Sequence, residues 1–281
     1  MGMIGIGNEC YLYVNGISAT KHIWLHDTVC LCPVKSTVKW AEIMSLFEND
    51  IDLSIAVLCN PTIASQLHIL ADNTEQLIAN AWNSQWDCLL LGALLKCNVM
   101  CNLQSDQPIE KIAEAQYVHV TNYELRALLS TPYSISDVDE EWIAKNYEAA
   151  YHLLEKDCYQ TAVHTMASYR WHSVPRVQLA VIWSGIESLF NVNTEVSFRI
   201  SLYIANFLSD NEAEAKQIFK QVRKMYSLRS TAVHGNKTKD NLENAVEESA
   251  DLLNRLLRRC AETRSLPNVD NLIFNSDNPT S

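Results

Sequence analysis

Glycine is scarce in this chain, with seven among 281 residues. So few glycines disfavour a backbone cradle for phosphate. No P-loop, dinucleotide-binding fingerprint, G-x-S-x-G elbow or H-E-x-x-H pair occurs. Long apolar runs are also missing. The longest clean one, Cys88 to Leu95, is far short of the roughly 20 residues that span a bilayer, so no membrane partner is expected. The opening residues, M-G-M-I-G-I-G-N-E-C, lack the basic segment and long apolar core of a secretory signal. Ile6 stands where a myristoylation signal carries Ser or Thr. Basic residues are the minority, 22 against 33 acidic, for a formal net charge of -11. A field of that sign opposes non-specific binding of nucleic acid. Nine cysteines are present, an odd number, and no two form C-x-x-C. Most lie in apolar surroundings and read as buried, reduced thiols of a cytoplasmic protein rather than as a disulfide framework.

One constellation has the residue types of a metal site. His22, His26, Cys30 and Cys32 are all even-numbered, so one continuous strand would put them on one face, and two imidazoles with two thiolates suit tetrahedral zinc. Strand residues four apart are roughly 13 Å apart, however. The four converge only if a turn near Asp27 folds the strand back; otherwise they are a sheet face with two buried thiols. No metal and no other cofactor is expected.

In chain order, the first half alternates β-like and helix-like stretches. Glu9 to Val14, Asn15-Gly16 and Ile17 to His26 predict a hairpin, because Asn-Gly suits a type I′ turn. Thr28 to Cys32 is β-like, Thr37 to Glu48 helical, and Leu53 to Cys59 reads as a buried strand. Two helical pieces are expected from Asn60-Pro61 to about Trp82. Cys88 to Leu95 fits either a strand or a buried helix. Ala115 to Asn122 reads as a strand. The turn-rich Thr131 to Ser136 places a domain boundary, giving an α+β domain over 1–132 and an all-α antiparallel helical bundle over 136–265. The remainder, 266–281, is rich in Pro, Asn, Asp and Ser and reads as a loose tail. The bundle helices are expected over Asp139 to Lys156, Cys158 to Tyr169, from Pro175, Glu195 to Leu208, Ser209 to Gly235, and Asn241 to about Arg264.

The stretch from Ser209 to Asn236 carries the most chemistry. Ser209 with Glu212 predicts a capped helix start, and Gly235 a C-cap. Ile218, Phe219, Val222, Met225 and Val233 recur at helical spacing, and Arg229 falls on the same stripe. A guanidinium on an apolar face needs an anionic partner or a polar cleft. His234, in the last turn, sits where the helix dipole favours imidazolium. From Lys216 to Lys239 every charged residue is basic, so the most basic segment of an acidic chain holds this pair.

R-x4-H within L-R-S-T-A-V-H-G, with Tyr226 upstream and Glu187 in W-S-G-I-E-S-L-F, resembles the HEPN superfamily, in particular its Apea-like branch. The resemblance runs from about Pro175 to Arg264, roughly a third of the chain. Where many members carry Asn, Asp or His after the arginine, this chain has Ser230. The resemblance implies a HEPN-like bundle, a homodimer through that bundle, and metal-independent cleavage of RNA, in a bacterial defence or toxin setting. Arg229 and His234 would be catalytic, with Glu187, Ser230 and Tyr226 supporting them. Lys224, Arg223 and Lys237 would contact the RNA, and the first domain would sense, restrain or bind a regulatory partner. The expected ends are a 2′,3′-cyclic phosphate and a 5′-hydroxyl. The alternative is a non-catalytic HEPN-like module that dimerises or holds a partner.

Overall fold

The computed structural model describes residues 3–36, 38–47, 49–125, 131–192, 195–233 and 241–274. The chain forms two compact units, Met1–Glu148 and Ala149–Ser281. An antiparallel sheet region comes first and a mostly helical half follows.

The first unit is built on a six-stranded sheet of β1 (Glu9–Asn15), β3 (Ile23–His26), β4 (Val29–Pro33), β5 (Ile63–Leu70), β6 (Met100–Ser105) and β7 (Val118–Val120). Its spatial order is β3-β4-β5-β1-β6-β7, and each neighbouring pair is antiparallel. The short β2 (Ile17–Ser18) lies apart from it, parallel to β8 (Tyr133–Ser134). The helices are α1 (Trp40–Met44), α2 (Asp50–Cys59) and α3 (Thr74–Leu95). One sheet face buries Leu12, Leu67 and Ile69, and α3 brings Leu77, Ala81 and Leu91 into the same core. On the other face Tyr13, Ile55, Ala56, Leu103, Ile112 and Val120 form a second cluster.

Several expectations for this unit are corrected. The Asn15-Gly16 step joins no hairpin: β1 pairs with β5 and β6, and the hairpin is β3–β4, turning at Asp27-Thr28. Gly16 answers instead to a positive φ of 89° and to the Asn98 carbonyl, which a Cβ would strike. Leu53 to Cys59 is helical, not extended. Asn49 caps α2 by accepting from Asp52 N at 2.8 Å, and Asp50 and Asp52 favour its N-terminus. Pro61 ends that helix in a 3-10 turn. The residues after it make β5, whose Ile63, Ser65, Leu67 and Ile69 alternate toward the buried side. Cys88 to Leu95 resolves as the buried last turns of α3.

Across and beyond the division between units run α4 (Asp137–Leu153), α5 (Asp157–Ser168), α6 (Pro175–Phe190), α7 (Val196–Leu208), α8 (Glu212–Val233), α9 (Leu242–Thr263) and α10 (Val269–Phe274). Ser136 opens α4 with reciprocal bonds to Asp139: its hydroxyl accepts from Asp139 N at 3.2 Å, and its own N–H donates to Asp139 Oδ2 at 3.2 Å. Pro175 stands in the first turn of α6. At Gly185 a Cβ would collide with the Thr165 hydroxyl, so this glycine lets α5 and α6 approach closely. The second unit's core is Trp183, Tyr159, Phe190, Leu253, Leu256 and Cys260, all 1 % exposed or less. Two of its polar atoms find partners: Trp183 Nε1 donates to Ser249 Oγ at 3.1 Å, and the Tyr159 hydroxyl to the Leu257 carbonyl at 3.3 Å. Past Leu266, α10 is joined to α7 by the Asn206 amide donating to the Leu272 carbonyl at 2.7 Å.

Candidate functional site

The α8 start lies two residues later than the sequence suggests. Asn211 is the cap, accepting from Glu214 N at 3.0 Å, while Glu214 Oε2 accepts from Asp210 N at 3.1 Å. Ser209 instead ends α7 through its own N–H to the Ala205 carbonyl. Two adjacent helices share one linker: Ser209 is taken up as the C-cap of α7, and Asn211, an equally good capping type, opens α8. From this start α8 runs to Val233.

Arg229, in the penultimate turn of α8, faces Glu187 of α6. Its Nη2 is 3.2 Å from Glu187 Oε1 and donates to Oε2 at 3.5 Å. The two residues are 42 positions apart, so this pair is a product of helix packing. Side-chain exposure is 18 % for Arg229 and 29 % for Glu187, which puts the pair at the edge of the core rather than inside it. One nitrogen straddles both carboxylate oxygens; this is not the fork-on-fork arrangement that saturates a guanidinium. Among the described residues, Arg229 Nε is buried without an acceptor, and Glu187 Oε1 is buried without a well-aligned donor. Among the described residues, Arg229 is therefore oriented but not fully satisfied.

Tyr226, one turn earlier, supports the same corner. Its ring meets Trp183 edge to face at 5.2 Å, and the Arg229 guanidinium lies 5.5 Å from its centroid. Burial, then the Glu187 charge, pushes the Tyr226 hydroxyl above its ordinary pKa, and Arg229 opposes them. The phenol therefore stays a neutral donor. Ser230 is half-buried beside the arginine, and Arg223 and Lys224 are exposed on the same helix. His234 and Lys237 lie outside the described residues, as does Gly235. Arg199 pairs within its own helix turn with Glu195 at 3.5 Å.

The four residues of the metal pattern do not converge. The β3–β4 turn does fold the strand back, but the register shift after Trp24 sets His26 opposite Val29, while Cys30 faces Trp24. His26 lies 3.4 Å from buried Asp87 and 3.3 Å from the Thr28 hydroxyl. Among the described residues no group of three or more His, Cys, Asp or Glu could hold a metal ion, and none of their helices is long and apolar enough to cross a membrane.

A second feature was not singled out from sequence. Between α8 and α9 lies a groove of about 340 Å³, lined among others by Val222, Lys224, Met225, Glu248, Leu252 and Arg255. Glu248, Asp251 and Arg255 share one face of α9, a spacing that in sequence resembles any solvated stripe.

Comparison with family models, with curated proteins and with solved structures returns no match for this chain. The functional reading therefore stands on these residues.

Proposed function

We propose that the helical unit is a HEPN-like, metal-independent endoribonuclease acting as a homodimer. What supports the reading is Arg229: Glu187 holds its guanidinium, yet its buried Nε–H has no acceptor among the described residues. A buried donor without a partner costs about 1–3 kcal/mol, more when charged, and a phosphate oxygen would relieve that cost. The surrounding segment, Lys216 to Lys239, contains no acidic residue.

The chemistry follows from residue types. RNA carries its own nucleophile, the 2′-hydroxyl. His234 supplies an imidazole, the side-chain type suited to remove that proton or to protonate the leaving 5′-oxygen. Arg229 stabilises the added negative charge on the five-coordinate phosphorus. Glu187 is a positioning residue that fixes the guanidinium. In a dimer two histidines are available, so base and acid come from different protomers. The products are a 2′,3′-cyclic phosphate and a 5′-hydroxyl, and the sheet-bearing unit serves as sensor or restraint.

The net charge of -11 favours a second reading, a non-catalytic module that dimerises or holds a partner. One experiment separates the two: incubation of total cellular RNA and a labelled tRNA pool in EDTA, wild type beside His234→Ala. Cleavage by the wild type alone, leaving cyclic-phosphate ends, is the expected result. Cleavage by neither, with the sheet-bearing unit present or removed, would favour the binding module.

A further inference from the structure

The α8–α9 groove has a floor of Val222 and Leu252, both buried, with half-buried Met225 beside them. Its rim carries Lys224 from one helix and Glu248 and Arg255 from the other, all exposed. None of these three rim residues has a hydrogen-bond or ion-pair partner among the described residues. Asp251, one turn from Glu248, adds a second carboxylate to the lining. An apolar floor, carboxylate acceptors and two cations form a mixed set. A cationic ligand would meet Lys224 and Arg255, and a purely anionic one would meet Glu248 and Asp251. A nucleotide satisfies both halves, because its base is flat, apolar on its faces and rich in N–H groups, while its phosphate is anionic.

We propose that this groove binds the base of a nucleotide, with guanine as the preferred base. A carboxylate offers two parallel acceptors and no donor. Guanine presents two adjacent N–H donors, N1–H and N2–H, on its Watson–Crick edge. Adenine and cytosine each set one amino group beside a lone pair that a carboxylate repels, and uracil offers a single N–H between two oxygens. Glu248 is the acceptor, the Met225 thioether and Leu252 bear on the base face, and Lys224 and Arg255 take the phosphate. The volume of about 340 Å³ lies at the lower end of ordinary small-molecule sites.

The groove also has a place relative to Arg229. Met225 is four residues before it on the same stripe of α8, about 6 Å along the helix axis. Resting on the ribonuclease reading, the groove then holds the nucleotide flanking the scissile phosphate and sets a preference for cutting beside guanosine.

The test uses the full chain labelled with ¹³C at the methionine methyl groups, six in all, with the Met225 signal assigned through Met225→Leu. Guanosine, adenosine, cytidine and uridine 5′-monophosphates are titrated separately into the wild type and into Glu248→Gln, which keeps the shape and removes the charge. The expected result is a shift at Met225 with guanosine monophosphate, roughly tenfold tighter than with uridine monophosphate, since a site built to pair N–H groups rejects ligands that lack them. Glu248→Gln should abolish that preference while its folded methyl spectrum is retained. No shift at Met225, or equal response to all four nucleotides, overturns the proposal. The titration needs no turnover, so it is independent of the cleavage assay. Guanosine monophosphate binding without RNA cleavage would leave the groove standing and remove the ribonuclease. Cleavage without guanosine preference would do the reverse.

Discussion

Each unit has a carboxylate tied to neighbouring elements, and the two are treated differently. In the sheet-bearing unit, Asp87 is wholly buried. Its Oδ1 accepts from the Tyr147 hydroxyl at 2.8 Å, and its Oδ2 lies 3.4 Å from His26 Nε2. Each oxygen has its own partner, and α3, α4 and β3 are tied together through one residue. In the helical unit, Glu187 is part-exposed and both its oxygens lean on a single nitrogen of Arg229. That arrangement fixes a guanidinium in direction while leaving its Nε–H without an acceptor among the described residues. A saturated buried acid is architecture. A half-satisfied pair at the edge of a core leaves a charged donor open to a ligand or partner.

The two clusters should respond differently to truncation. Asp87→Ala should destabilise the protein by about 3 kcal/mol, because it leaves His26 and the Tyr147 hydroxyl facing a cavity. Urea denaturation followed by circular dichroism measures that loss. Arg229→Ala should behave in the opposite way. Its stability cost should be about 1 kcal/mol, since Glu187 can be solvated once released. Its RNA cleavage should fall by roughly 10²–10³, the range for removing one donor to a charged transition state. An Arg229→Ala protein as unstable as Asp87→Ala would make the Glu187–Arg229 pair ordinary architecture.

The thiols give a further contrast. Seven of the nine cysteines lie in the first unit. Burial pushes the Cys10 thiol up to about 11 and Cys59 up to about 12. The unfolded chain loses these protons near pH 9, the folded chain only at higher pH. Between those values the unfolded state binds fewer protons, so stability falls as pH rises. The thiols' contribution to stability should be level below about pH 9 and decline from there through pH 11, Cys10 alone accounting for about 2 kcal/mol. Denaturation midpoints of wild type and Cys10→Ala across pH 8–11 check this; an identical slope in both would remove Cys10 as a cause.

The two halves also differed in how far their sequences disclosed them. The helices of the second half could be read because caps and a 3.6-residue period are local signals: Pro175, Ser136 and the apolar stripe of α9 each act within a few residues. The sheet was harder. β1 pairs with β5 some fifty residues on and with β6 some ninety, and no local pattern states those partners. Asn15-Gly16 has the composition of a hairpin turn, yet its strands go elsewhere, and the glycine serves a close approach to Asn98 instead. Leu53 to Cys59 is apolar enough for a strand, and only the cap at Asn49 marks it as helix. At the candidate site, Arg229 stood out as a charge on an apolar stripe. Its link to Glu187 came from resemblance, since no periodicity connects α6 with α8. The groove was invisible because its rim charges come from two helices whose register is fixed only by folding.

The smallest expected effect concerns which part of Tyr226 matters. Its contacts with Trp183 and Arg229 are both made by the ring. Tyr226→Phe keeps that ring and its edge-to-face geometry, so stability should change by less than about 0.5 kcal/mol. The hydroxyl is held neutral by burial and by the Glu187 charge, so it carries no charge for Arg229 to lose. Cleavage by Tyr226→Phe should therefore stay within about threefold of wild type, the scale of a neutral hydrogen bond of modest net value. A tenfold loss of cleavage in a protein of unchanged stability would assign the hydroxyl to the phosphate. The helical unit would then hold two donors in reserve where the sheet-bearing unit holds none at Asp87, and the difference between the clusters would widen.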